Sequence, residues 1–394
     1  MIRSASVVLA LAAIVGLASS SVSTLDFVQH LDRQVHGLHC SFLPGLDEAR
    51  LGEASGCQVA LMSPYSSVLR ESVWGGIPVS LPAMGTFAFL LWAIAHAWIA
   101  GLAERRRAWL LLTLAWSIPF VTSIVMGTLA LTQLDAFCKL CVLVYGASTI
   151  GFVTSLVVFI RLREPTGVLL PRRPIAVAVV AGLAFVLVPT VGYALAAPSF
   201  ERYVGACGEL LDASDRQHVL IDLGGQGPDV IEILDPLCPS CRAFEKRFAA
   251  LGGESRAKRR VLLFPLDDAC NWMVSDALHP GACAVSEAVL CAEERADEVL
   301  AWAFEQQEAI TEASASDPGA AARLAGARFP ELASCIGSPA VRNRLNHSLR
   351  WAVKNQLPVM TPQAYVDGTR VCDADTDLGL DYVLARLLER GGSR

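Results

Sequence analysis

Charged residues are scarce in the first half of this sequence. Asp, Glu, Lys and Arg make up 18% of the 394 residues, and none occurs in five long apolar stretches at about 5–23, 79–101, 108–131, 140–160 and 175–196. Each stretch approaches or exceeds the roughly 20 residues that an α-helix needs to cross a bilayer. A single soluble domain is therefore excluded, and the first 200 residues are predicted to lie in a membrane.

The sequence also lacks a basic patch, an internal repeat and a low-complexity tract. Its formal net charge is -6, and nothing in the charge pattern favours nucleic acid as a partner. The basic residues near the apolar stretches fall on one side if the five spans alternate, and this side is predicted to be the cytoplasm. The loop at 24–78, Cys138 and everything after residue 197 then lie outside the cytoplasm.

The first apolar stretch has two interpretations. Small residues follow it, as in a cleaved signal peptide. The length of the run and the lack of a clear Ala-x-Ala site favour an uncleaved first span. Both interpretations leave the 24–78 loop on the same outer side of the membrane.

Cysteine is plentiful, with 12 residues, and Cys138-Lys-Leu-Cys141 opens the fourth apolar stretch. Cys141 is predicted to lie about one turn inside the helix, where the helix dipole favours a thiolate, while Cys138 faces water. A plain disulfide and a pair of thiols packed as small apolar residues remain alternatives. Half of a zinc site is another, although no second Cys/His pair accompanies the motif.

The first outer loop carries two further cysteines, Cys40 and Cys57, followed by Ser63 and by Gly-Ile-Pro-Val-Ser at 76–80. In order and topology, residues 5–160 resemble the vitamin K epoxide reductase family. The resemblance implies a four-helix bundle around a quinone, either ubiquinone or menaquinone, that accepts electrons. It implies that Cys141 contacts the quinone and pairs with Cys138, that Cys40 and Cys57 shuttle electrons, and that Ser63 hydrogen-bonds near the ring.

Histidines in this half have simpler explanations than metal binding or catalysis. His36 and His39 lie near Cys40 and suggest a metal site, but scattered histidines are common in solvated loops. His96 lies toward the cytoplasmic end of the second stretch, away from Cys141, and is expected to pack or to lie at the interface.

The second half has the pattern of a soluble α/β domain. Strands are predicted at 218–222, 230–235 and 259–265, and Cys238-Pro-Ser-Cys241 lies where the second strand turns into a helix. A largely helical insertion is predicted at about 270–356, then a strand from Val359 and a closing helix at about 378–390. The helix N-terminus favours the thiolate of Cys238, and Cys241 is placed to resolve a mixed disulfide.

Residues 205–394 resemble the thioredoxin-like domains, and the helical insertion resembles their periplasmic oxidant branch. The resemblance implies that Thr361-Pro362 is a cis peptide that faces the active-site disulfide and presents backbone groups to substrate. A structural disulfide or a metal clip remains the alternative for the cysteine pair. Six other cysteines suggest structural bridges with 15 possible pairings, of which Cys291 with Cys335 is preferred.

The sequence thus predicts a multi-domain protein: an all-α transmembrane four-helix bundle (1–160), a cytoplasmic loop with a fifth linking helix (161–202), and an α/β thioredoxin-like domain with a helical insertion (203–394). The predicted activity is disulfide formation in reduced extracytoplasmic proteins, with electrons passing to a quinone in a bacterial inner membrane. No resident metal is predicted. The alternatives are an outward relay of reductant and a membrane-anchored metal-binding or folding module.

Overall fold

The computed structural model describes residues 1–32, 60–61, 63–134, 138–162, 172–376 and 378–391. The chain divides into two compact units, Met1–Ser199 and Phe200–Arg394. Four residues singled out in the first loop, His36, His39, Cys40 and Cys57, lie outside the described residues.

The described part of the first unit contains five long helices, each apolar and long enough to cross a membrane. They are α1 (Ile2–Gln29), α2 (Ser80–Ile99), α3 (Arg106–Leu129), α4 (Lys139–Arg161) and α5 (Arg172–Ala196). A 3₁₀ turn (His30–Asp32) follows α1, and a π-helical turn (Ala130–Leu134) extends α3. Two short strands, β1 (Ser67–Val68) and β2 (Ile77–Pro78), pair antiparallel before α2. The helix α1 ends at Gln29, six residues past the predicted end of the first span at residue 23.

Glycines let the helices of the bundle approach closely. A Cβ added at Gly16 of α1 would lie 2.4 Å from the ring of Phe87 on α2. A Cβ added at Gly151 of α4 would lie 2.1 Å from the ring of Trp116 on α3. The two rings meet edge to face, with centroids 6.0 Å apart. Such close packing is important in a membrane. Lipid tails are as apolar as the core side chains, so the hydrophobic effect does not drive helices together there.

The fifth helix packs against α2. A Cβ added at Gly85 of α2 would lie 2.4 Å from the backbone carbonyl oxygen of Phe185. Farther along α5, the Tyr193 hydroxyl donates a hydrogen bond of 3.1 Å to the carbonyl of Gly76. The linking helix is therefore a packed part of the first unit.

The second unit is a five-stranded sheet with helices around it. Its strands are β3 (Ile221–Gly224), β4 (Asp229–Leu234), β5 (Lys258–Leu263), β6 (Gln363–Val366) and β7 (Thr369–Arg370). The helices are α6 (Pro239–Ala250), α7 (Gly253–Arg256), α8 (Ala282–Ala292), α9 (Ala296–Glu305), α10 (Gln307–Ser316), α11 (Ala320–Arg328), α12 (Pro339–Lys354) and α13 (Leu380–Gly391). Short 3₁₀ turns lie at Glu201–Tyr203, Glu293–Arg295, Pro330–Leu332 and Asp373–Asp375.

The sheet places β4 at its centre, in the order β3-β5-β4-β6-β7. The β4 strand runs parallel to β5 and antiparallel to β6. Its residues Ile231, Ile233 and Leu234 are fully buried, as expected for a central strand with both faces covered. After the C-terminal end of β4, a short turn leads to Cys238, which begins α6. A central strand followed by a cysteine pair at the start of a helix is the arrangement of the thioredoxin fold.

The insertion is largely helical. Its first helix starts at Ala282, and a loop at 264–281 precedes it. Side chains bond to the backbone there, since the carboxylate of Asp267 accepts from Ala269, Gly281 and Cys283 amides. Such side-chain bonds compete with helical hydrogen bonds and favour turns.

Three disulfides bridge the second unit. They join Cys207 to Cys372, Cys270 to Cys283 and Cys291 to Cys335. The preferred pairing of Cys291 with Cys335 is confirmed. The first bridge closes the longest loop, since its cysteines are 165 residues apart in sequence.

Candidate functional site

The first cysteine pair lies at the start of α4. Cys138 is the N-cap residue, and its sulfur accepts a hydrogen bond of 3.3 Å from the backbone amide of Cys141. The first backbone amides of a helix and the helix dipole stabilise negative charge on a sulfur at this position. Both cysteines are partly buried. The backbone therefore supports a thiolate at Cys138, one turn from a second cysteine.

Cys141 lies between two cavities. One has a volume of about 190 Å³ and is lined by Cys138, Ser63 and Asp26, among others. The other has a volume of about 840 Å³ and extends between α2, α3 and α5. Cys141 and Tyr145 line both cavities. Small-molecule sites commonly have about 300–1,000 Å³ and mostly apolar walls, so the larger cavity suits a lipid-soluble ring compound.

Ser63 lies on the wall of the smaller cavity. It is buried, and its hydroxyl donates a hydrogen bond of 2.8 Å to the carbonyl of Ala60. The guanidinium of Arg70 donates to the Ser63 carbonyl at 2.6 Å and to the Ser67 hydroxyl at 2.7 Å. These bonds hold the backbone around Ser63 in the segment that precedes α2.

Two residues beside Cys141 were not singled out from the sequence. Asp26 is buried in the extended last turns of α1 and lines the smaller cavity. Tyr145 follows Cys141 by four residues, and this spacing places both on one face of α4. The i, i+4 spacing was the available signal for Tyr145, whereas Asp26 lay beyond the predicted end of the first span. His96 stacks on Trp92 with centroids 4.8 Å apart, in line with the expected packing role.

The second cysteine pair begins α6. Cys238 is the N-cap, Pro239 is the first helical residue, and Cys241 lies one turn in. Proline suits this position because its missing N–H would have no helical partner and its φ angle is already helical. Both sulfurs are reduced and buried.

The pKa values of the two thiols are shifted in opposite directions. A hydrogen bond from the Cys241 thiol, opposed by burial, lowers the pKa of Cys238 to about 6. Burial, and then the adjacent Cys238, raises the pKa of Cys241 well above its ordinary value. At neutral pH Cys238 is therefore the nucleophilic thiolate and Cys241 the protonated thiol that can resolve a mixed disulfide.

Thr361 and Pro362 lie against Cys238, and the peptide bond between them is cis, as expected. The Cys238 thiol donates a hydrogen bond of 3.7 Å to the Thr361 carbonyl. The Thr361 hydroxyl oxygen is buried and has no hydrogen-bond partner among the described residues. When Cys238 ionises, this hydroxyl can donate to the thiolate, which further lowers the pKa of Cys238.

Polar side chains brace the turn that carries Cys238. The buried carboxylate of Asp235 accepts hydrogen bonds of 2.7 Å from the Leu237 and Leu266 amides. The side-chain nitrogen of Gln307, at the start of α10, donates to the carbonyls of Pro236 and Cys238 at 3.2 and 3.0 Å. The cysteine motif did not reveal either brace, because both depend on contacts across the fold.

A buried charge network lies behind the motif. Arg259 on β5 donates to both oxygens of Glu232 at 2.9 and 2.8 Å and to Glu245 on α6 at 2.7 Å. Burial, and then the charge of Glu232, raises the pKa of Glu245 well above its ordinary value. Two carboxylates thus share one cation, and the network ties β4, β5 and α6 together.

No group of three or more His, Cys, Asp or Glu side chains is placed to hold a metal ion within the ranges that the structure describes. Cys238 and Cys241 therefore have no further metal ligand there. The geometry of the second site suits thiol–disulfide exchange, since a low-pKa nucleophile, a second thiol and a cis peptide bond come together there.

Residues 7–156 match the model of the Vitamin K epoxide reductase family. Among solved structures, reduced DsbA1 from Neisseria meningitidis is 16% identical, with 47% of this chain and 94% of that chain covered and a TM-score of 0.33. DsbA from Xylella fastidiosa is 22% identical, with 45% and 99% covered and a TM-score of 0.31. No curated protein matches the chain.

The match at residues 7–156 confirms the expected vitamin K epoxide reductase-like domain. The family match covers the helices that hold Cys138 and Cys141. The sheet order, the cysteine pair at the start of α6 and the cis peptide establish the second fold by themselves. Together they support a membrane thiol–disulfide oxidoreductase.

Proposed function

We propose that this chain, whose residues 7–156 match the Vitamin K epoxide reductase family, forms disulfide bonds in proteins outside the cytoplasm and delivers their electrons to a quinone. The observation that carries the proposal is the contrast between its two cysteine pairs. Cys238 has a low pKa and lies beside the cis peptide bond of Thr361-Pro362, whereas Cys141 lies between two cavities among the apolar helices. One pair suits protein thiols, and the other suits a lipid-soluble acceptor.

The first step is oxidation of a substrate protein. A substrate thiolate attacks the Cys238–Cys241 disulfide and forms a mixed disulfide with Cys238. A second substrate thiol displaces Cys238, so the substrate gains a disulfide and Cys238 and Cys241 become thiols. The low pKa of Cys238 makes it a good leaving group in this step.

The second step returns Cys238 and Cys241 to the disulfide. The Cys238 thiolate attacks the disulfide that we assign to Cys40 and Cys57, and Cys241 resolves the mixed disulfide. The Cys40 and Cys57 thiols then reduce the Cys138–Cys141 disulfide in the same way, with Cys57 attacking Cys138. Each exchange breaks one S–S bond and forms another, so two electrons move inward at each step.

The residues around Cys141 fit a quinone. The larger cavity is walled by apolar side chains of α2, α3 and α5, and Cys141 and Tyr145 are at its edge. A bound quinone would supply the acceptor for the two electrons and two protons that Cys138 and Cys141 release as they form a disulfide. Apolar walls exclude water, and the helix N-terminus stabilises sulfur anions formed there.

The partners and location follow from this direction of flow. Reduced extracytoplasmic proteins donate thiols, and Thr361 and Pro362 present backbone groups to them. The distribution of basic residues supports a position of the second unit on the outer side of the membrane, which we take to be a bacterial inner membrane. Joining both sites in one chain replaces a bimolecular encounter with an intramolecular one, at an effective concentration in the range of about millimolar for short linkers.

The test is quinone reduction by the full-length protein in detergent. Reduced, unfolded ribonuclease donates thiols, a short-chain ubiquinone accepts electrons, and quinone absorbance is followed. We expect turnover in the wild type, and none in Cys141→Ala with any thiol donor. Cys238→Ala should fail with ribonuclease but retain turnover with dithiothreitol, which can reduce the loop cysteines directly.

A double variant, Cys207→Ala with Cys372→Ala, is the matched control, because it removes two cysteines that form a structural bridge. It should retain turnover with both donors. No quinone reduction by the wild type would contradict the proposal. Net reduction of protein disulfides would instead support the outward relay, and stoichiometric bound metal without thiol consumption would support the metal-binding module.

A further inference from the structure

A buried histidine and a buried carboxylate form a pair directly behind the Cys238 turn. The Nδ1 atom of His279 lies 2.7 Å from Oδ2 of Asp235. The Asp235 side chain is fully buried, and that of His279 is 11% exposed. Asp235 is the first residue after β4, and its backbone carbonyl accepts a hydrogen bond of 3.1 Å from the Cys238 amide. The pair is therefore one turn of chain from the nucleophilic sulfur.

The carboxylate of Asp235 opposes a thiolate at Cys238. Its negative charge raises the pKa of both Cys238 and Cys241, although other contributions dominate each value. Asp235 is nonetheless needed as an acceptor, because its oxygens hold the amides of Leu237 and Leu266. A cation beside Asp235 would balance its negative charge. The carboxylate could then still accept these hydrogen bonds without repelling a thiolate at Cys238.

His279 can carry that cation. Burial disfavours the charged imidazole, but the hydrogen bond and the charge of Asp235 outweigh burial and raise the pKa of His279. The negative groups that face it are Asp235 just after β4, Cys238 in the turn before α6 and Asp267 in its own loop. All three favour the imidazolium.

The loop that carries His279 is firmly held against the sheet. The Asn271 amide donates to the Pro265 carbonyl at 2.7 Å, and the His279 amide donates to the Leu266 carbonyl at 3.0 Å. The Cys270–Cys283 disulfide closes the loop around His279. The imidazole is thus fixed in place by three independent kinds of contact.

We propose that His279 is a positioning residue that, by neutralising Asp235, keeps Cys238 in its reactive thiolate form. The motif itself has Pro239 and Ser240 between its cysteines and supplies no cation of its own, so the loop provides one from outside. This role deepens the proposed function, because the thiolate is the species that attacks the loop disulfide. The imidazole exchanges no proton with substrate in this role; it acts on Cys238 only through Asp235.

The test is the pH profile of Cys238 alkylation in the full-length, mildly reduced protein. Iodoacetamide reacts with the thiolate, and mass spectrometry of the peptide that holds Cys238 gives the rate at that sulfur alone. The wild-type midpoint should lie at about 6. In His279→Gln, which can keep a hydrogen bond to Asp235 but not the charge, the midpoint should rise by about one pH unit, so that about tenfold less thiolate is present below pH 6.

The Asp235→Asn change distinguishes neutralisation from local packing. In Asp235→Asn with His279→Gln the carboxylate is gone, so the midpoint should return toward the wild-type value. A double variant with the same midpoint as His279→Gln would overturn the proposal, and so would an unchanged midpoint in His279→Gln alone. If Asp235→Asn does not fold, the midpoint of His279→Gln alone decides between the two outcomes. If His279→Gln does not fold, His279→Asn takes its place.

His347→Gln is the matched control, because His347 lies on α12 and its substitution should not move the midpoint. The measurement involves no quinone and no membrane cysteine. A failure of quinone reduction would therefore contradict the proposed function and leave the alkylation result standing. An unchanged alkylation profile would overturn the role of His279 alone.

Discussion

The sulfur of Cys238 lies 3.7 Å from the backbone carbonyl oxygen of Thr361, although 123 residues separate them in sequence. This contact joins the start of α6 to the loop before β6, and the long helical insertion lies between them. The carbonyl and the hydroxyl of Thr361 have different roles here. The carbonyl accepts from the thiol, while the buried hydroxyl can donate to the thiolate.

Thr361→Val should therefore raise the pKa of Cys238. Valine has nearly the shape of threonine but lacks the hydroxyl, so the thiolate loses a donor while the packing is kept. The measurement is the pH midpoint of Cys238 alkylation. Thr376→Val, whose hydroxyl bonds to the Asp373 carbonyl, serves as the control and should leave the midpoint in place. An unchanged midpoint in Thr361→Val would show that the hydroxyl does not reach the sulfur.

The reduced protein should gain stability as the pH rises, relative to the oxidised protein. The folded pKa of Cys238 is about 6, below the ordinary cysteine value of about 8.5. A depressed folded pKa adds stability that is fully present above about pH 8.5 and is lost as the pH falls through about 6. The melting temperature of the reduced protein minus that of the oxidised protein should therefore increase between pH 6 and 8.5.

The disulfide form provides the reference because its sulfurs do not titrate. The raised pKa of His279 acts in the opposite direction, as its stabilisation is lost when the pH rises through the folded value. The stabilisation by His279 is present in the reduced and the oxidised protein, so it largely cancels when one melting temperature is subtracted from the other. The melting temperature of Cys238→Ser minus that of the oxidised wild type should show no such increase; a flat wild-type difference would contradict the low pKa.

Arg259→Leu should destabilise the second unit strongly. The substitution leaves Glu232 and Glu245 close together and buried without a cation. Breaking a buried ion pair by removing one partner costs about 3–5 kcal/mol, because the remaining charge loses its compensation. Chemical denaturation, followed by tryptophan fluorescence, gives the free energy of unfolding.

The exposed cation Arg295 provides the comparison. It pairs with Glu298 and Glu331 at 2.7 Å on the surface, where water already solvates the charges. Arg295→Leu should leave the free energy of unfolding nearly unchanged. Equal losses in Arg259→Leu and Arg295→Leu would mean that the buried network contributes no more than a surface pair.

Gly85→Val should weaken the packing of α5 on α2. Its Cβ would meet the Phe185 carbonyl at 2.4 Å, and backbone atoms cannot rotate away as a side chain can. Overpacking of this kind typically costs about 1–3 kcal/mol. We expect a lower melting temperature of the first unit in detergent. Gly192→Val on α5 is the control, since nothing lies within 4 Å of its added Cβ, and its melting temperature should stay near the wild-type value.

The sequence alone determined the features that depend on local composition and spacing. Uncharged runs of about 20 residues predicted five spans, and the structure has five helices of suitable length within its described ranges. Thr361-Pro362 and the two cysteine motifs were visible as short patterns. The start of α6 was also predictable, because a cysteine before a proline at the end of a strand marks the N-terminus of a helix.

Tertiary structure decided what depends on contacts between distant segments. The pairing of Asp235 with His279, 44 residues apart, follows from the turn at 264–281 folding back on β4, and no local pattern records it. The packing of α5 through Gly85, the bracing of Cys238 by Gln307 and two of the three disulfide pairings are of the same kind. Apolar periodicity fixes which face of a helix or strand is buried, but the partner that covers this face is chosen only when the whole core packs together.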